Sequence, residues 1–71
     1  MTLHAAISAV LESRNEAMGA GEIAREIEAR QLYLRPKDGK PAKSNQVRAR
    51  AKNYSSLFVI QDARIALKSW V

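Results

Sequence analysis

Seventy-one residues, 46% of them hydrophobic, allow one globular domain near the lower size limit for a self-sufficient core. With no cysteine, disulfides and thiolate metal sites are excluded. The longest apolar runs fall far short of a membrane span and no charged-then-apolar leader opens the chain, so a soluble, cytoplasmic protein is expected from a net charge of +5.

Thr2 is a suitable N-cap for a first helix ending near Ser13, with Asn15 as its stop. Leu3, Ile7, Val10 and Leu11 follow the i, i+4, i+7, i+8 rule and give one apolar stripe. Glu12, Arg14 and Glu16 are left to water. His4, the single histidine, has no partner for catalysis or metal binding and is expected on the surface. Residues 15–21 form a connection whose inward residue is Met18. Gly19 and Gly21 match neither the three-glycine dinucleotide fingerprint nor the Gly-Lys-Ser/Thr phosphate loop.

Gly19 caps a second helix expected over residues 20–31. Ile23, Ala24 and Ile27 supply its buried face, and Glu26 with Arg30 makes a favourable i, i+4 pair. Glu26 and Glu28 are two apart and do not face each other, so they are no acid/base couple. An irregular apolar segment, residues 32–34, leads into a joint over residues 35–41 (RPKDGKP) that cannot be helical. There Pro36 fixes φ, Asp38 offers a local hydrogen bond and Gly39 is free to take positive φ. The joint exceeds the three or four residues of a tight helix-turn-helix and is expected to stay mobile until it meets a ligand.

Residues 43–58 read as a third helix capped by Ser44, with Val47, Ala51, Tyr54 and Phe58 on one stripe. At ~100° per residue, Asn45, Ala49, Lys52 and Ser56 fall opposite, flanked by Arg48 and Asn53. Arg50 lies on the other flank, where pairing with a helix-two glutamate competes with phosphate contact. Residues 58–60 and 65–67 are β-prone and read as a hairpin with a four-residue tip carrying Arg64. Trp70 is expected to cover the core edge. Three helices and a hairpin make a mainly α winged helix-turn-helix, one domain over residues 1–71 that is open to having been cut from a larger protein.

Charge is unevenly placed. Residues 1–34 hold three basic and five acidic side chains; residues 35–52 hold seven basic ones against Asp38 alone. A cationic segment on an acidic-to-neutral scaffold suits a phosphate-facing surface. Lys37, Lys40 and Lys43 are the candidate phosphate contacts, with Ser44 at the helix N-terminus. Asn45, Gln46, Arg48 and Lys52 face the major groove, and Arg64 faces the adjacent backbone. Either amide suits adenine, and Arg48 suits guanine.

Read in order, several pieces resemble the HARE-HTH family of winged helix-turn-helix domains across essentially the whole chain. They are residues 3–11 (LHAAISAVL), Met18, Glu22, Ile23 and Ile27, residues 39–41 (GKP), residues 47–50 (VRAR), Tyr54, Leu57, Phe58, residues 65–67 (IAL) and Trp70. Gly19 stands where the family usually has a hydroxyl residue, and Lys40 where it often has threonine. The resemblance implies duplex DNA binding, as in domains at the edges of restriction-modification enzymes, in chromatin-associated transcription regulators and in the RNA polymerase delta subunit. A targeting module of a larger DNA-acting protein is the expected role, nucleoid-associated in a bacterium. The competing reading is a protein-interaction module for an acidic partner. One histidine, no cysteine and no suitably spaced carboxylates argue against an enzyme, and no cofactor or metal is expected.

Overall fold

A computed structural model describes residues 1–70. Helix α1 (Leu3–Arg14) begins where the Thr2 hydroxyl accepts the Ala5 N–H at 3.2 Å. It stops at Asn15, which turns left-handed (φ 55°) and donates its N–H to the Leu11 carbonyl at 2.7 Å. Asparagine tolerates that backbone better than most residues, so cap and stop both follow from residue type.

Two residues of the connection, Met18–Gly19, form a strand, β1, that no periodicity announces. Helix α2 (Ala20–Ala29) starts at Gly19, whose N–H is accepted by the Glu22 carboxylate at 3.0 Å. It ends two residues before the expected boundary. Arg30 is its C-cap and Gln31 is left-handed (φ 54°), so Gln31 N–H bonds the Glu28 carbonyl at 3.1 Å and Leu32 N–H the Ile27 carbonyl at 3.0 Å. This is a Schellman closure made without glycine.

Helix α3 is Ser44–Asn53, shorter than the expected 43–58. Lys43, not Ser44, is its N-cap, and the Gln46 side chain accepts the Lys43 N–H at 2.9 Å. At the other end Tyr54 leaves helical geometry (φ −114°, ψ 56°), so Phe58 reaches the core from a strand. Strands β2 (Phe58–Gln61) and β3 (Arg64–Leu67) pair antiparallel, Phe58 opposite Leu67 and Gln61 opposite Arg64. Their loop is only Asp62 and Ala63, both at positive φ, as a two-residue type I′ hairpin requires. Arg64 therefore lies in β3 and not in the tip. Strand β1 pairs with the free edge of β3, Met18 opposite Ile65, giving sheet order β1-β3-β2.

The core draws Leu3, Ala6, Ile7, Val10 and Leu11 from α1, Ile23 and Ile27 from α2, and Val47 and Ala51 from α3. Met18, Phe58 and Ile65 seal it from the sheet, and no polar side chain is buried among the described residues. His4 departs from the expected surface position: its ring stacks on Tyr54 with centroids 4.2 Å apart, tying the start of α1 to the end of α3. Trp70, in a short 3-10 turn, stays 39% exposed instead of covering the core. Three helices with a hairpin packed beside the third are a winged helix-turn-helix, as the sequence led one to expect.

Candidate nucleic-acid interface

Burying Val47 and Ala51 turns the rest of α3 outward. Ser44, Asn45, Arg48, Ala49, Lys52 and Asn53 are exposed. The two flanks of the helix meet different neighbours. On one side Ser44, Asn45 and Arg48 line a cleft of about 290 Å³ with Ile60, Ala63 and Ile65 of the hairpin and Ala20 and Gly21 of α2. On the other, Gln46, Ala49, Arg50 and Asn53 line a cleft of about 220 Å³ with Leu3, Tyr33, Arg35 and Ala42.

A third cleft, about 490 Å³, lies between α2 and the start of α3. Its cations are Arg25, Arg35, Lys40 and Lys43. It shares Gly21 and Ser44 with the wing-side cleft, so the two adjoin. Lys40, Lys43, Ser44, Asn45 and Arg48 are thus brought together. Arg25 joins them from α2; it was missed because it lies in the acidic half of the chain, where local charge gives no signal. Lys37 and Lys52 are exposed but line none of these clefts. Arg64 points back along the sheet, donating to the Ala17 carbonyl at 3.4 Å.

Two expected contributors are engaged within the protein. The Gln46 side-chain oxygen accepts the Lys43 N–H at 2.9 Å and the Arg35 guanidinium at 3.3 Å. A bidentate contact to adenine needs that oxygen, so Gln46 is committed to the helix cap. Arg35 also pairs with Asp38 through both Nε and Nη2. The loop expected to be mobile is closed on itself: Arg35 N–H donates to the Lys40 carbonyl at 2.8 Å and Gly39 N–H to the Arg35 carbonyl at 2.7 Å. Asp38 accepts the Lys40 N–H at 3.0 Å. The guanidinium of Arg35, then the Lys40 amide, hold the Asp38 carboxyl below its ordinary range.

The remaining cations are free. Among the described residues no ion pair involves Arg25, Lys37, Lys40, Lys43, Arg48, Arg50 or Lys52. Arg50 thus lacks the helix-two glutamate partner that the sequence allowed. The ion pairs of α1 and α2 lie elsewhere, Arg14 with Glu16 and Glu26, and Arg30 with Glu26. An exposed helix face bearing a free guanidinium and an amide, with unpaired ammonium groups beside it, can bind phosphates and reach base edges. Residues 1–70 match HARE-HTH, the ASXL and restriction endonuclease helix-turn-helix domain. The chain belongs to the HARE-HTH family. Helix-turn-helix domains of this kind generally bind DNA, and HARE-HTH is not a catalytic family. Searches of curated proteins and of solved structures give no match. No helix of this HARE-HTH domain is long and apolar enough to cross a membrane, and no cluster of metal-ligating side chains occurs among the described residues.

Proposed function

We propose that this HARE-HTH domain is a non-catalytic duplex-DNA-binding module that targets a larger DNA-acting or regulatory protein. Helix α3 enters the major groove, with Asn45 and Arg48 at base edges and Lys52 on the phosphates one turn on. Lys37, Lys40, Lys43 and Ser44 hold one backbone strand, and Arg64 lies on the wing side. The observation that carries the reading is the cleft shared by Ser44, Asn45 and Arg48 with the hairpin, continuous with the one lined by Arg25, Lys40 and Lys43. Free cations from two helices and a loop on adjoining surfaces are what a phosphate backbone needs.

Titration of a short duplex at several salt concentrations tests it. A log–log slope of about −3 to −6 is expected for a domain neutralising several phosphates. Arg48→Ala and Lys52→Ala each weaken binding at least several-fold, and Arg14→Ala leaves it unchanged. Equal binding by all three variants overturns the assigned face. No measurable binding at ~50 mM salt favours an acidic protein partner instead.

A further inference from the structure

The segment richest in positive charge contains one cation whose contacts all point inward. Arg35 engages Asp38 through two of its nitrogens and the Gln46 carbonyl oxygen through a third, Nη1, at 3.3 Å. That same Gln46 oxygen accepts the N–H of Lys43, the N-cap of α3, at 2.9 Å. Asp38 in turn accepts the Lys40 N–H at 3.0 Å, and Lys40 closes the loop onto Arg35. One guanidinium therefore joins the loop to the helix start, and the backbones of Lys40 and Lys43 hang from its two acceptors.

We infer that the Arg35–Asp38–Gln46 linkage positions Lys40 and Lys43 for the duplex backbone, and that Asp38, though negative beside a polyanion site, strengthens DNA binding. Resting on the duplex-binding reading, the inference assigns Arg35 and Asp38 as positioning residues rather than contacts. A long flexible side chain ordered in advance gives up less entropy on binding. Fixing two lysine-bearing backbones before the encounter is an advantage of that kind, and it opposes the simple Coulomb effect of a carboxylate near phosphate.

The two effects have opposite signs, which makes the test sharp. Asp38→Ala adds one unit of net positive charge, so a loop acting only as a cationic patch would bind a short duplex more tightly. Positioning predicts the reverse, a several-fold loss of affinity with the melting temperature little changed, because the pair is a partly exposed one. Arg35→Gln is expected to lose affinity while keeping the salt slope of the native chain, whereas Lys40→Ala lowers the slope by about 0.9. Equal or tighter binding by Asp38→Ala, or a slope loss in Arg35→Gln matching that of Lys40→Ala, overturns the inference.

Hydrogen exchange separates this from failure of the DNA reading. The amides of Gly39 and Lys40 should exchange on the order of 10-fold faster in free Asp38→Ala than in the native chain. Unchanged exchange sinks the positioning role whether or not the native chain binds DNA.

Discussion

Ala63 is strained by its place in the chain. It and Asp62 both occupy left-handed backbone (φ 62° and 53°) because a two-residue hairpin needs it. A left-handed conformation costs a residue with a Cβ about 1–2 kcal/mol, and glycine's extra unfolded-state entropy returns part of that. Ala63→Gly is therefore expected to stabilise the domain by about 0.5–1 kcal/mol in urea unfolding. The same scale separates arginines that look alike in sequence. Arg14 is held by two glutamates, Arg35 by Asp38 and Gln46, and Arg64 reaches a backbone carbonyl. Arg48 is exposed in the wing-side cleft with no ion pair among the described residues, so its removal is expected to matter most. Its orientation was legible from the helical period alone; that of Arg35 was not, since its partner Gln46 lies eleven residues away on another element.

Among the elements, the 35–40 loop has a pH dependence of its own. Its carboxylate, Asp38, is held below the ordinary value of 3.8 by Arg35 and the Lys40 amide. A group depressed in the folded state stabilises fully above its unfolded value, and that contribution fades as pH falls through the folded one. Loop closure is thus expected to be constant at neutral pH and to be lost only below the usual aspartate range. The Gly39 and Lys40 amide shifts, followed by NMR on acidification, should move together at that lower pH. A midpoint at or above 3.8 would show that Arg35 does not grip Asp38. The proline and glycine here announced a turn, and that was right; they gave no sign that the turn would bond to itself and to the next helix. Helix α3 shows the opposite limit. Its apolar spacing runs on to Phe58, yet the helix stops at Asn53, because Phe58 satisfies the same core from β2. Periodicity reports which residues go inside, not which element carries them there.

At the scale of the molecule, a small core leaves little reserve. Ile7 is fully buried on α1, among side chains from all three helices and the sheet. Truncating such a residue costs roughly 2–5 kcal/mol, comparable with the whole stability expected of a domain this size. Ile7→Ala is accordingly expected to be largely unfolded at 37 °C by circular dichroism, and to lose duplex binding with the fold. The charge arrangement works at this scale too. The ion pairs of Arg14, Arg30, Glu16 and Glu26 use up charge on α1 and α2, whereas the cations of the loop and α3 other than Arg35 stay unpaired among the described residues. The fold thus keeps its free positive charge where the wing and α3 meet.

What the amino-acid order settled by itself was local: three apolar stripes, the Thr2 cap, the Asn15 stop, the hairpin pairing and a cationic segment on a neutral scaffold. Each depends on residues within a turn or two of one another, where spacing and residue type act directly. Tertiary structure decided the pairing of Met18 with Ile65, the recruitment of Arg25 to the cationic cleft, and the sharing of Gln46 between Lys43 and Arg35. Those depend on which surfaces meet once the core has closed, and a two-residue strand or a side chain bonded across elements leaves no periodic trace in the chain.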